Sequence, residues 1–547
     1  MKALTIRLSC LAHLLSFWGS LVLLMCYHTT NAQDTLRVTI SLYPDSTFQI
    51  SPYIYGINYQ TDYHELNITS RRLGGTRMST YNWETNASNA GTSWAHVSDD
   101  YFAHELGINP FERKEPARVI RTFHDSSLSA GAYSLITVPM LGYVAADKYG
   151  SVSKNESAPS QRWVAVRNFH PGKMKDKPDL SDRFVYTDEF IHFLKQRYGK
   201  STSPTGIRGY TLDNETELWS LLVPYARYKP VQCQELIDLS VNTAHAIKSV
   251  DKEAEVFGPS PYGFEAYRNL HSAYDWGLFY DRGYTNFIQA YLAGMKKAED
   301  SLGLRLLDVL DVHWYPEATG TLAGDYKERI INHSIQERPL AEARMQAPRT
   351  LWDSTYREDS YIAKHYAPFT LLPWLKKEIN DYYPGTRLSV SEYEYGGSND
   401  VSGGITQADV LGIWGTHGIY MANLWGTIDG YIASAFKLYR NYDGANSTFG
   451  STGIKVSNTD PVNTSAYASQ TVKKKKKTVH IILLNKNYDQ YVTFNIGTNI
   501  AGTISKVRIF GFDSTTPNLH LIRNARLENN RTLTLPPLSA YHLEITE

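Results

Sequence analysis

Apolar runs of strand length recur eight times between residues 53 and 425, separated by longer polar or helix-patterned stretches. They cover 53–58, 72–78, 134–140, 207–215, 254–258, 307–315, 387–395 and 418–425. Several intervening segments repeat apolar residues at the spacing of one helix face, at 187–198, 232–250, 285–302 and 366–383. Near-continuous apolar strands alternating with helices predict a parallel sheet buried on both faces. Eight such units predict an α/β fold, a closed (β/α)8 TIM-like barrel with its chemistry at the C-terminal strand ends.

The texture changes near Tyr439. Asn441, Gly444, Asn446, Ser447 and Gly450 form a turn-rich crossing, and alternating runs follow at 478–484, 491–496, 504–510 and 533–535. These read as a β-sandwich. The run 36–40 shares the pattern and is expected to add an N-terminal strand to that sandwich. The expected organisation is an export signal over 1–32, a sandwich strand over 33–51, the catalytic barrel over 52–445 and the C-terminal β-sandwich over 446–547. The lysine run 473–477 reads as an exposed hairpin tip. A basic binding arm is the alternative, but no aromatics interleave.

At the N-terminus Lys2 and Arg7 precede an apolar run, and Thr30, Asn31 and Ala32 offer a small-residue cleavage site before Gln33. His13, Ser16, Gly19 and Ser20 interrupt the run, which argues against a permanent anchor. Met25 before Cys26 argues against lipidation. A secreted protein is expected, with periplasmic or cell-surface placement as alternatives. Cys10 and Cys26 fall in the signal, so Cys233 alone remains and no internal disulfide can form. The 55 basic and 55 acidic side chains cancel, which points away from nucleic acid and anionic membranes and toward an uncharged partner. Aromatic content of 13%, with 39 Tyr and 11 Trp, suits stacking on sugar rings. The mature chain is expected to be a monomer with no membrane span.

Two of the apolar runs carry glutamates at their polar ends. Glu215 ends Leu212-Asp213-Asn214-Glu215, and Glu392 lies in Ser391-Glu392-Tyr393-Glu394 before Gly396 and Gly397. Two carboxylates from separate strand ends are what hydrolysis of a glycosidic bond requires. One protonates the leaving oxygen, and the other attacks the anomeric carbon or activates water. The strand order places them at the ends of strands four and seven. Asp213 is the rival acid and Glu394 the rival nucleophile, because residues two apart on a strand share a face.

The motifs in order carry a family resemblance. Ile50-Ser51-Pro52-Tyr53-Ile54-Tyr55-Gly56-Ile57-Asn58, Arg71-Arg72-Leu73-Gly74-Gly75-Thr76-Arg77-Met78 with Tyr81-Asn82-Trp83-Glu84, and Leu212-Asp213-Asn214-Glu215 are three of them. Asp311-Val312-His313-Trp314-Tyr315-Pro316, Ala347-Pro348-Arg349 with Trp352, and Ser391-Glu392-Tyr393 with Tyr395-Gly396-Gly397 complete the set. Together they resemble glycoside hydrolase family 44, from about residue 36 to the C-terminus. The resemblance implies an endo-acting β-1,4-glucanase or xyloglucanase that works by retaining double displacement. It further implies a barrel with a sandwich built from both chain ends, Glu215 as acid/base and Glu392 as nucleophile. Thr216 departs from the family pattern, which has proline there; proline would fix the backbone after the acid.

Around these two, Asn214 is suited to hold a substrate 2-hydroxyl. Tyr315 and Arg77 are expected to hydrogen-bond Glu392 and keep it ionised. Trp83, Trp352 and Trp425 are candidate sugar platforms, and His313 reads as a buried polar spacer or a substrate contact. Catalysis is expected to need no metal, since no His or Cys ligand spacing occurs; a structural Ca2+ has room among loop carboxylates, with its ligands unidentified. A non-catalytic carbohydrate-binding barrel and a metal-dependent barrel hydrolase are the competing readings.

Overall fold

Eight parallel strands close on themselves in sequence order: Tyr53–Ile57, Ser70–Leu73, Tyr133–Val138, Gly209–Leu212, Glu255–Pro259, Val309–Trp314, Arg387–Tyr393 and Met421–Leu424. The computed structural model describes residues 35–60, 63–473, 476–497, 506–523, 527 and 531–546. The expected export signal, Lys474 and Lys475 lie outside the described residues. Helices Arg118–Ser129, Thr187–Tyr198, Cys233–Val250, Phe287–Leu302, Leu371–Tyr382 and Val401–Thr416 follow strands two to seven, and Gly430–Arg440 follows strand eight. Among the described residues no helix is long and apolar enough to cross a membrane.

Two of the differences from the sequence expectation concern strand two and the helix after strand seven. Strand two runs Ser70–Leu73, because Gly74 and Gly75 end it and Thr76–Thr80 turns as a 3-10 helix. Helix Val401–Thr416 carries four glycines and is buried from Val401 to Gly415. A helix buried all round has no polar face, so it shows no helical period.

The barrel interior is layered. At its base the Glu255 carboxylate accepts from the hydroxyls of Tyr133 and Tyr420, both at 2.7 Å, and pairs with Arg387 at 3.0 Å. Leu135, Phe257, Val309 and Met421 pack together as an apolar layer. Toward the C-terminal ends come Ser70, Arg72, Asp311, His313 and Asn423, all fully buried. Strand one passes close to its neighbours here. A Cβ on Gly56 would stand 2.0 Å from Ser70 Oγ and 2.4 Å from Asn423 Nδ2, so only glycine fits.

Beside the barrel lies a sandwich-like, nine-stranded sheet. It joins Thr35–Gln49 to Thr452–Asn458, Thr464–Lys473, Lys476–Asn485, Tyr491–Gly497, Lys506–Asp513, Thr516–Leu521, Thr532–Leu535 and Ser539–Thr546. All neighbours are antiparallel except Thr35–Gln49 with Tyr491–Gly497. Lys473 pairs with Lys476, the last pair between these two antiparallel strands. In strand Lys476–Asn485, Val479, Ile481 and Leu483 face the sheet's own core while Ile482 and Leu484 join the barrel core. Strand Ser539–Thr546 is buried through Ile545, which erases the alternation by which the sequence reveals a strand.

The two bodies meet at helix Val401–Thr416. Gly412 lets the Tyr467 ring lie against the helix backbone, and the Tyr467 hydroxyl donates to Asp409 Oδ1 at 2.6 Å. Lys486 Nζ donates to Asp409 Oδ2 at 3.0 Å, both side chains being buried. Breaking a buried pair leaves a charge without compensation. Lys486→Ala is therefore expected to cost about 3–5 kcal/mol of stability, read as a lowered denaturant midpoint with the unfolding slope unchanged.

Candidate active site

Strand four ends in a sharp bend that aims Glu215. Asp213 and Glu215 both take left-handed backbone, with φ of 61° and 43°. Such conformations cost roughly 1–3 kcal/mol each and persist only where the surroundings hold them. Here Asp213 supplies the hold. Its Oδ1 accepts from Asn214 N at 2.8 Å and Trp219 Nε1 at 3.3 Å, and its Oδ2 accepts from Leu141 N at 3.1 Å and from Met140 N. Glu215 N then donates to Ser260 O at 2.9 Å. The bend separates two residues that an ideal strand would place on one face. Asp213 is spent on backbone, and Glu215 reaches the cleft floor. Thr216 opens the following 3-10 turn, where proline fits well. It is buried, with a hydroxyl that has no partner among the described residues.

Strand seven aims Glu392 by a different device. Val390 pairs with Val312 and Glu392 with His313, which leaves Ser391 as an extra residue, a β-bulge. Asp311 holds the bulge: Ser391 N donates to its Oδ1 at 3.1 Å and Ser391 Oγ to its Oδ2 at 2.6 Å. Asn58 Nδ2 bonds Ser391 O at 3.2 Å from the other side. Bulges of this kind re-aim side chains beside functional sites. Glu394 turns instead to His333 Nε2, 2.6 Å away.

Arg72, fully buried, ties the parts together. Its Nη1 donates to Glu392 Oε1 at 2.5 Å and to Asn58 Oδ1 at 3.2 Å, and its Nη2 donates to Asn214 Oδ1 at 2.7 Å. Gly75 N donates to the same Asn214 oxygen at 3.1 Å. The Asn214 carbonyl is thus occupied, and its amide nitrogen is the end that can address a ligand. Tyr315 donates its hydroxyl to Glu392 Oε2 at 2.7 Å.

His313 stands between the glutamates. Its Nδ1 lies 3.0 Å from Glu215 Oε1 and 3.4 Å from Glu392 Oε2. Burial lowers its pKa to about 4, so the ring is neutral at neutral pH. Burial raises Glu215 to about 7, with Arg72 opposing the rise. One oxygen of each carboxylate and one His313 nitrogen all lie within 4.8 Å of one another.

That triplet is the one convergence of three potential metal ligands among the described residues. It does not suit a divalent ion. Both Glu392 oxygens already accept from Arg72 and Tyr315, and the guanidinium puts a positive charge beside the position an ion would take.

Three expected contacts are corrected. Arg77 does not touch Glu392: it donates to Asp99 at 2.6 and 3.1 Å and lies over the Tyr101 ring at 4.4 Å. Strand two stops before residue 77, so its inward position falls to Arg72 instead. Trp83, 2% exposed, is no sugar platform; it stacks on Phe190 at 5.5 Å and tilts against Phe193 at 5.4 Å. Trp352 lies near His417, which precedes strand eight at the opposite end of the barrel, and lines a hollow of about 370 Å³ against the sheet. Trp425 does reach the cleft. With Asn58, Tyr59, Gln60, Glu105 and Asp429 it lines a cavity of about 540 Å³ at the mouth of strands one and eight. Gly75, at φ 84°, leaves room for its ring; a Cβ there would come within 2.8 Å of it.

The strand alternation could have revealed Arg72. Arg71 and Arg72 adjoin in a barrel strand, so one must face the helices and the other the interior. Arg71 does the former, donating to Ser126 Oγ at 2.7 Å and Ser127 Oγ at 3.1 Å. A fully buried cation is tolerated only where it is paired. Arg72→Ala is expected to lower kcat on soluble glucan by about 10²-fold or more, and Arg77→Ala by no more than about twofold. Steady-state kinetics of the two variants checks this.

The model of glycoside hydrolase family 44 matches residues 87–318. The chain is 44% identical over 499 residues to endoglucanase A of Paenibacillus lautus, covering 90% of this chain and 70% of that protein. It is also 44% identical over 526 residues to a β-mannanase/endoglucanase A of Caldicellulosiruptor saccharolyticus, of whose length it spans 39%. Among solved structures, a family 44 xyloglucanase of Paenibacillus polymyxa superposes with a TM-score of 0.88 at 45% identity, covering 94% of this chain and 100% of that one. A family 44 xyloglucanase of Paenibacillus polymyxa has also been solved with xyloglucan. A barrel with an adjoining sheet, Glu215 and Glu392 facing each other across its C-terminal mouth, and this breadth of identity agree: the chain belongs to glycoside hydrolase family 44.

Proposed function

We propose that the chain is a retaining endo-acting β-glycanase that cleaves β-1,4-glucans, xyloglucan among them, outside the cell. The observation that carries this is the Glu215–Glu392 approach, with one oxygen of each within 4.8 Å. Retaining enzymes hold their carboxyls about 5–5.5 Å apart, and inverting ones leave room for a water at roughly 6.5–9.5 Å. The β-mannanase/endoglucanase, endoglucanase and xyloglucanase relatives support the substrate class.

The two carboxyls are given opposite environments. Glu392 accepts a cationic and a phenolic donor, the setting of a nucleophile that attacks as a carboxylate. It forms a bond to the anomeric carbon as the glycosidic C–O bond breaks, and Glu215 delivers its proton to the departing oxygen. The Asn214 amide holds the 2-hydroxyl, where a hydrogen bond strengthens as the oxocarbenium character grows. Esterified Glu392 no longer neutralises Arg72. The unpaired guanidinium then bears more strongly on Glu215, lowers its pKa and favours its role as base toward the incoming water. Neutral His313 touches both carboxylates without adding a charge that would hold Glu215 ionised.

With Glu215 near 7, kcat/KM is expected to fall as pH rises through about 7, because the acid is then lost. Glu215→Gln should abolish that alkaline limb. It should also collapse hydrolysis of unactivated glucan while sparing the first step on aryl glycosides with good leaving groups. Equal damage to both substrates would reject Glu215 as the acid.

Glu392→Ala is expected to lose turnover and to regain cleavage of an activated substrate with azide, giving the inverted glycosyl azide. Rescue of Glu394→Ala in its place would move the nucleophile by two residues. Reducing-end release from carboxymethylcellulose, xyloglucan, lichenan, xylan and mannan ranks the substrates.

A further inference from the structure

Glu217 has no part in the chemistry above, yet it is 5% exposed and sits two residues beyond the acid. Its Oε1 accepts the backbone N–H of Tyr262 at 2.7 Å. Its Oε2 is buried and has no partner among the described residues. Tyr262 belongs to the loop after strand five, and that loop is fastened at three successive residues. Ser260 O accepts Glu215 N at 2.9 Å, Pro261 O accepts His313 N at 3.0 Å, and Tyr262 N donates to Glu217.

The Tyr262 ring stacks on the Tyr315 ring, with centroids 5.4 Å apart and planes 20° apart. Tyr315 in turn donates to Glu392 Oε2 at 2.7 Å. A continuous path therefore runs from the loop of one glutamate to the hydroxyl that bonds the other.

We propose that Glu217 is a positioning residue for the nucleophile: it holds the Tyr262 backbone, seats the Tyr262 ring behind Tyr315, and so fixes the hydroxyl that Tyr315 donates to Glu392. The proposal rests on Glu392 being the nucleophile. Burial pushes the Glu217 carboxyl up to about 8, so at neutral pH it accepts the Tyr262 N–H without placing another negative charge beside Glu215. A neutral amide can fill the same place. Loss of the Tyr315 bond weakens support for the Glu392 carboxylate, and this appears at the acidic limb of kcat/KM.

The test is a double-mutant cycle between Glu217→Ala and Tyr315→Phe, read in kcat, KM and the pH dependence of kcat/KM on a soluble glucan. Glu217→Ala is expected to lower kcat by about tenfold with KM within about threefold, and to move the acidic limb upward. Glu217→Gln should recover most of that loss. In the Tyr315→Phe background, Glu217→Ala should cost less than about twofold more, since the contact it serves is already gone.

Additive effects, or a lowered melting temperature with an unmoved acidic limb, overturn the proposal. Should Glu217→Ala fail to fold, Tyr262→Ala decides, because it removes the ring and keeps the backbone bond. It is expected to move the same limb, and an unmoved limb overturns the proposal. Azide rescue of Glu392→Ala separates the two readings. Without rescue the nucleophile itself is misassigned, whereas rescue together with an additive cycle removes only the role of Glu217.

Discussion

A guanidinium sealed from water stands where the ends of strands one, two, four and seven converge. A buried cation left without partners costs several kcal/mol, so Arg72 obliges the surrounding chain to supply acceptors in fixed places. It draws them from Asn58, Asn214 and Glu392. Each acceptor is tied onward: Asn58 to Ser391 O and Leu424 O, Asn214 to Gly75 N, Glu392 to Tyr315. The geometry of the carboxylate pair is thus set by an electrostatic demand at the barrel centre as much as by backbone conformation. The same charge limits how far burial can raise Glu215.

The layering of the barrel makes that demand possible. Below, Leu135, Phe257, Val309 and Met421 form a hydrocarbon layer, beneath which Glu255 bonds Tyr133 and Tyr420. Above, a compact polar layer is cross-linked: Asp311 accepts from Ser260 Oγ at 2.7 Å and from Ser391, while Asn423 Nδ2 donates to Ser70 Oγ at 3.1 Å. Polar groups in such surroundings interact more strongly than in water, and unpaired ones are penalised more heavily. A glutamate with no cation bonded to it, Glu215, is pushed up, and one bonded to Arg72, Glu392, is suited to charge. The difference in role comes from a difference in partner.

Strand order, the placing of Glu215 and Glu392 at the ends of strands four and seven, and the Tyr315–Glu392 contact were legible in the chain. They depend on periodicity and on local motif. Arg72 was passed over for Arg77 because the Gly74–Gly75 stop had to be located to within a residue or two, and periodicity does not locate boundaries that finely. Trp83 and Trp352 were read as platforms because an indole in a loop looks alike whether it meets sugar or Phe190. The difference lies in tertiary packing that only the fold supplies. Helix Val401–Thr416 and strand Ser539–Thr546 were silent for a shared reason. Full burial removes the polar half of the pattern on which recognition rests.

The nine-stranded sheet sets an order in time. Strand Thr35–Gln49 precedes the whole barrel, yet its neighbours on either side, Thr452–Asn458 and Tyr491–Gly497, follow it. Through all the barrel's synthesis this segment has both edges open, with Val38, Ile40 and Leu42 lacking the core they later share with Phe494 and Leu543. Contacts this distant in sequence form slowly, and an uncovered strand is a site of faulty pairing until they do. The barrel can close before its neighbour exists, but the sheet cannot. Capture of this strand therefore waits until residues 452–497 have been made.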